Sequence, residues 1–216
     1  MHFLTKFKSI QSVNEIKSKN YDGTLIIFDW DDTLFPSRWF IDESLSENDK
    51  QIKYIDTHIS TLLKYFRIFG NIIIVTNASL QWIKKCMSML PKVKKTIKKY
   101  DIQIISARDK YMDATSNYTI WKELTFGAIM SNSKYNNIIS IGDSNYEYNA
   151  LISLNDGVKS LKFFRFLHYD SIYEYYGQMY VLYSSFNNIV YKNNNLNVDI
   201  NGKMHSISNL YLNRIF

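Results

Sequence analysis

The sequence predicts an α/β fold: a three-layer α/β/α sandwich around a mainly parallel sheet. Three observations predict it. Short apolar runs rich in β-branched residues alternate with stretches whose apolar residues recur at helical spacing. The runs are almost continuously apolar, as strands covered on both faces require. Acids and hydroxyls follow them directly, in "FDWDDT", "VTN" and "GDS", where an open Rossmann-like sheet gathers its ligand-binding groups.

The elements follow in order. "TLIIFD" (24–29) is the first strand, ended by acids. Ile52, Ile55, Ile59, Leu62, Leu63, Phe66 and Phe69 then mark a long helix, stopped by Gly70 and Asn71. "IIIVT" (72–76) is the second strand. Leu80, Ile83, Met87 and Leu90 mark a helix that breaks at Pro91, with a lysine-rich helix behind it. "IQIIS" (102–106) reads as the third strand, 115–130 as a helix and "NIISIG" (137–142) as the fourth strand. Residues 145–154 read as helical, "VKSLKFF" (158–164) as extended and 170–186 as an aromatic-rich helix. The Asn-rich stretch 187–203 reads as polar loop, with "HSISNLYL" beyond it a candidate late strand. With neither internal repeat nor linker, residues 1–216 read as a single domain, whose chemistry-bearing motifs fall within 24–150.

Composition narrows the function classes. The single Cys86 excludes an intrachain disulfide and a cysteine metal cluster, and His2, His58, His168 and His205 show no ligand spacing. No apolar run approaches the roughly 20 residues of a membrane helix, so no membrane partner is expected. The opening twenty residues lack the apolar core of a secretory signal; they are basic, with no acid before Glu15. An ordinary cytoplasmic start is favoured over an organelle leader. The net charge is +6, and its densest contributor is "KKCMSMLPKVKKTIKKY" (84–100). Such a run is first a solvated helix face, and abundant Lys, Asn, Ile and Tyr also match the coding bias of an AT-rich genome. The functional alternative is a surface that attracts a phosphorylated or polyanionic partner.

The stretch "LIIFDWDDTLFPS" poses the central question, because four apolar residues run into three aspartates within four positions. Carboxylates so close repel one another and are costly to bury unpaired. In an extended chain Asp29, Asp31 and Thr33 share one side, with Trp30, Asp32 and Leu34 on the other. Paired carboxylates suit attack by one and proton transfer by the other. A hard divalent cation shared between Asp29 and Asp143 would relieve their repulsion.

"DWDDTL" resembles the DxDx[TV][LV] signature of the haloacid dehalogenase (HAD) superfamily, whose members are mostly Mg²⁺-dependent phosphatases. Three further segments match in order. "IIIVTN" is similar to the second motif through Thr76, "WKELTF" supplies Lys122 for the third, and "SIGDSNYEYNA" resembles the fourth through Asp143 and Glu147. The resemblance implies a HAD-like fold and an aspartyl-phosphate mechanism. Asp29 would be the nucleophile and Asp31 the general acid and then base. Thr76 and Asn77 would bind the phosphoryl group, and Lys122 would neutralise it together with Asp29. Mg²⁺ would be held by Asp29, the main-chain carbonyl of Asp31 and Asp143. Glu147 would join through water or brace the lysine.

Each residue also has a plainer role: a strand-end hydroxyl for Thr76, a surface cation for Lys122, a helix-start acid for Glu147. Trp30 is expected to pack in the core. Arg108 is placed equally by a salt bridge with Asp109 and by substrate. About forty residues separate the first and second motifs and about forty-five the second and third, and predicted elements fill both. No large cap is therefore expected, and an open site suits a phosphorylated protein or nucleic-acid end. The alternative function is a catalytically inactive HAD-like scaffold for anionic partners, although such proteins usually lose the nucleophile or the acid. A two-component receiver is excluded because Asp143 follows the lysine. A dehalogenase is disfavoured by Asp31, and a phosphonate hydrolase by the lack of a cap.

Overall fold

The computed structural model describes residues 23–199, apart from 45, 47, 48, 132, 193 and 194. Within them six strands form one all-parallel sheet: β1 (Thr24–Phe28), β2 (Asn71–Thr76), β3 (Gln103–Ser106), β4 (Asn137–Gly142), β5 (Ser160–Arg165) and β6 (Leu196–Asp199). Their spatial order is β3-β2-β1-β4-β5-β6. The order reverses between β1 and β4, so the crevice beyond their carboxyl ends is the sheet's topological switch point. Helices cover both faces, completing the three-layer α/β/α sandwich.

The strands are apolar on both sides because both are covered. Ile26 and Phe28 face one core, which includes α2 (Lys50–Phe66), α3 (Leu80–Met89), α4 (Pro91–Tyr100) and α8 (Ile172–Tyr191). Leu25 and Ile27 face the other, built with α5 (Ala107–Tyr111), α6 (Trp121–Ser131) and α7 (Asn145–Ile152). The short α1 (Ser37–Asp42) follows β1 and buries Trp39 and Phe40. Trp30 is fully buried and stacked on Phe35, as its packing role requires. α2 ends at Phe66, short of the expected stop at Gly70 and Asn71; Gly70 instead allows a close approach, since a Cβ there would lie 2.6 Å from the Thr24 carbonyl oxygen. Asp56, buried on α2, accepts the Lys92 and Val93 N–H groups at 3.1 and 2.9 Å. It thereby caps the otherwise unsatisfied start of α4.

Three boundaries differ from the sequence expectation. The helix expected from 115 is preceded by a 3-10 turn at Tyr118–Ile120, because the Asn117 side chain takes the Thr119 N–H; α6 begins only at Trp121. The supposed loop 187–203 contains structure at both ends of its described part. Here α8 runs on to Tyr191 because Ile189 and Val190 extend its buried stripe, and β6 pairs with β5 from Lys162↔Leu196 to Arg165↔Asp199. Asparagines beside an edge strand hid that pairing. The candidate strand "HSISNLYL" lies outside the described residues. No described helix is long and apolar enough to cross a membrane.

His58, buried on α2 edge-on to the Tyr175 and Tyr176 rings, is pushed by burial from 6.5 down to about 4. As pH falls below 6.5 the unfolded chain takes a proton that the folded chain refuses until about pH 4. Stability from this group is therefore complete above pH 6.5 and lost on acidification, by about 3 kcal/mol between pH 7 and pH 4. Urea midpoints of wild type and His58→Phe should diverge in slope over that window. Parallel curves would refute the assignment.

Candidate active site

The site is built where β1 and β4 end. Asp29 follows β1 directly, and its N–H still donates to the Ile141 carbonyl at 2.9 Å, so the ladder to β4 carries the carboxylate to the sheet's edge. Asp29 is nearly buried, 6 % exposed. Lys122 reaches it from the first turn of α6, where Lys122, Thr125 and Phe126 share the face turned to the sheet. A lysine on such a face costs heavily unless paired. Lys122 Nζ donates to Asp29 Oδ1 at 2.7 Å and to Glu147 Oε1, and is itself 2 % exposed. It is a buried ion-pair centre, not a surface cation.

Glu147 is positioned by the start of α7. Its Oε2 accepts the Ser144 N–H at 2.8 Å and the Ser144 hydroxyl at 2.7 Å, while Ser144 caps the helix in return. Gly142 makes room for this, because a Cβ there would come within 2.3 Å of Glu147 Cγ. Glu147 therefore braces the lysine and also stands near the Asp29 and Asp143 carboxylates. Asp29, Asp143 and Glu147 each offer a carboxylate oxygen, all within 4.8 Å of one another.

The electrostatics are unbalanced. Burial raises Asp29 well above the usual carboxylate range; Lys122 opposes that rise, and Glu147 and Asp143 add to it. Burial and the Glu147 charge push Asp143 up to about 6. For Glu147 burial acts upward too, but the Lys122 ammonium prevails and holds it below its ordinary value. For Lys122 burial acts downward and loses to the Asp29 and Glu147 charges, which hold the ammonium protonated. Three carboxylates thus share one ammonium, and the set calls for another positive charge. With an oxygen from each carboxylate within 4.8 Å of the others, the cluster could hold a hard cation. Both Glu147 oxygens are engaged by Lys122 and Ser144, which leaves Asp29 and Asp143 as the more available pair.

Asp31 is held separately. Its Oδ1 accepts from the Trp82 indole Nε1–H at 2.8 Å and from the Ser37 hydroxyl. Burial raises its carboxyl, and these two donors temper the rise. Asp31 is therefore not part of the three-carboxylate cluster; the contribution expected there was its main-chain carbonyl. Asp32, at a left-handed φ of 52°, turns the other way and accepts from the Arg38 N–H and the Tyr169 hydroxyl, both at 2.9 Å. Thr76 ends β2 two residues beyond the Phe28–Ile74 register, buried, with its oxygen accepting the Ala78 N–H at 3.0 Å. Accepting leaves that hydroxyl able to donate. Asn77 Oδ1 is buried without a hydrogen-bond partner among the described residues. Arg108 makes no described ion pair with Asp109, whose Oδ2 accepts the Leu80 N–H instead.

Ser37 and Trp82 escaped the sequence analysis, and Ser144 was read there only as a strand-end hydroxyl, not as the partner of Glu147. The capping-box spacing in "SNYE" could have revealed that pairing. Nothing local marks Trp82, fifty-one residues from its carboxylate. Replacing Lys122 with Met would leave Asp29 and Glu147 buried without their counter-charge, at a cost of about 3–5 kcal/mol at pH 7.5. That cost should shrink towards pH 5, because the orphaned carboxylates then take up protons in the folded state. Urea titrations at the two pH values read this directly; a loss below about 1 kcal/mol would refute the buried triad.

Comparison with protein-family models, curated proteins and solved structures yields no match, so the chemistry rests on the residues themselves.

Proposed function

We propose that the protein is a Mg²⁺-dependent phosphomonoester hydrolase of the HAD type, working through an aspartyl-phosphate on Asp29. The observation that carries this is the placement of Asp29 at the switch point, fixed by buried Lys122 and adjoined by Asp143. Mg²⁺ held by Asp29 and Asp143 would neutralise the phosphoryl oxygens and allow a dianion to approach an acidic pocket.

The protein's own groups supply the rest. Lys122 holds one Asp29 oxygen, orienting the other towards phosphorus. As the Asp29–phosphorus bond forms, the bond to the leaving oxygen breaks and Asp31 donates its proton to that oxygen. The upward direction in which burial moves the Asp31 carboxyl is the one a proton donor needs. Asp31 then takes a proton from water as the water oxygen attacks phosphorus, releasing inorganic phosphate and restoring Asp29. The Thr76 hydroxyl and the Asn77 side chain stand at the end of the neighbouring strand to hold the transferring group. Among the described residues the connections between strands are helices and turns of the sandwich itself. That supports an uncapped site open to a phosphorylated macromolecule.

Hydrolysis of an aryl phosphate should require Mg²⁺ and fall at least 1,000-fold in Asp29→Asn, a near-isostere that cannot attack. Activity retained in that variant would end the proposal. Trp82→Phe removes one donor from Asp31 and should lower kcat about tenfold with little change in KM. The alkaline limb of its kcat/KM profile should move upward, because Asp31 must be protonated in the first step and losing a donor to the carboxylate raises the carboxyl further. An unmoved profile would mean that Trp82 serves packing alone.

A further inference from the structure

The helices α3 and α4 carry a charge distribution that the catalytic site does not use. Residues 80–100 contain seven lysines and no acid, while the rest of the chain carries 19 lysines and arginines against 20 acids. The whole net charge of +6 therefore resides on this one segment. A coding bias towards lysine would have spread it. Lys84, Lys85, Lys92, Lys94, Lys95, Lys98 and Lys99 are all exposed, and none forms an ion pair with a carboxylate among the described residues. On α4, Lys94, Lys95, Lys98 and Lys99 lie away from buried Val93 and Thr96, while Lys92 Nζ donates to the Thr57 hydroxyl at 2.7 Å. Five of the seven, Lys92 to Lys99, lie on α4, over about 10 Å of helix. The stripe starts beside the site, since Trp82 on the same helix as Lys84 and Lys85 donates to Asp31.

We propose that the α3–α4 lysine stripe is a docking surface for duplex nucleic acid, gripped through its phosphate backbone. That the docked strand end then presents a terminal phosphate to Asp29 rests on the phosphatase function proposed above. The residue types select this partner. Seven lysines and no arginine supply point charges without the planar forks that recognise a single phosphoresidue. Seven like charges on two consecutive helices match a regular polyphosphate better than an isolated phosphopeptide. A membrane-seated amphipathic helix inserts an apolar face, but the apolar side of α4 is spent on the core, and Leu80 is the one large apolar residue exposed on the two helices. Single strands need exposed aromatic platforms. Here Trp82 and Tyr100 are partly buried, with Lys85 and Lys99 lying 5.7 and 5.2 Å from their ring centres.

The test uses the full chain and a fluorescent 20-base-pair duplex with 5′-phosphates, read by anisotropy from 50 to 300 mM salt. Changing Lys94, Lys95, Lys98 and Lys99 together to Glu should weaken binding at least about 100-fold. It should also flatten the salt dependence by about three to four units of slope. The same four changed to Gln should give an intermediate loss of roughly tenfold, and both variants should keep the wild-type circular dichroism and aryl-phosphate hydrolysis. Asp29→Asn should bind the duplex as wild type does. Unchanged duplex binding in the Glu variant would overturn the proposal. So would tighter binding by wild type to phosphatidylserine vesicles, single strands or a phosphopeptide. Duplex binding that follows the lysines in a protein that hydrolyses no aryl phosphate would uphold the docking surface and defeat the phosphatase function instead.

Discussion

The position of one ammonium group governs this molecule. Lys122 Nζ sits between Asp29 and Glu147, buried with both, and its charge makes it tolerable to bring carboxylates together at the end of a sheet. Remove it and the burial of either acid becomes a desolvation cost without return. The rest of the local structure keeps that contact in place. The buried face of α6 aims the lysine inward, the Ser144–Glu147 capping box fixes the opposing carboxylate, and Gly142 leaves it room. These devices lie on different elements, so the triad also joins α6 and α7 to β1 and β4.

The same economy explains why Asp29 and Asp31, two residues apart, have separate partners. If both carboxylates faced Lys122, they would compete for one cation and differ little in proton affinity. Instead the loop after β1 turns sharply at Asp32, and the Tyr169 hydroxyl and Arg38 N–H hold that turn. Asp31 is left to neutral donors, Trp82 and Ser37. A carboxylate paired with an ammonium and another paired with an indole and a hydroxyl have different proton affinities. Assigning attack to one and proton transfer to the other needs that difference.

How much of this was legible in the sequence follows from the range of the interactions. The sheet was legible because strands covered on both faces must be apolar throughout, and "LIIF", "IIIV" and "NIISI" leave little choice. Asp29, Thr76 and Asp143 were legible because strand ends are where polar residues change meaning. β6 was not, since an edge strand with one covered face needs only alternation, and "LNVD" among asparagines resembles a loop. The 3-10 turn before α6 arose from an Asn117 side chain competing for backbone N–H groups, which helical periodicity cannot register. Trp82 and Ser37 were invisible for a different reason. They reach Asp31 only once α3 and α1 have packed, so their role belongs to the tertiary structure.

The charge layout then sets a constraint on any substrate. The crevice gathers Asp29, Asp143 and Glu147 around one lysine with Asp31 close by, and an approaching anion is repelled unless a further cation balances the count. Long-range attraction cannot come from the crevice. The charges that can supply it lie on α3 and α4, where seven exposed lysines face no acid of their own segment. Screening limits their reach to about 8–10 Å in physiological salt, so a small phosphate diffusing to Asp29 gains little from Lys98 or Lys99. A polyanion long enough to lie along the stripe gains from every lysine at once. Under the proposed function, the layout favours substrates by length as well as by chemistry. Trp82 marks where the two regimes meet, with its indole N–H on the Asp31 carboxylate and Lys85 lying over its ring.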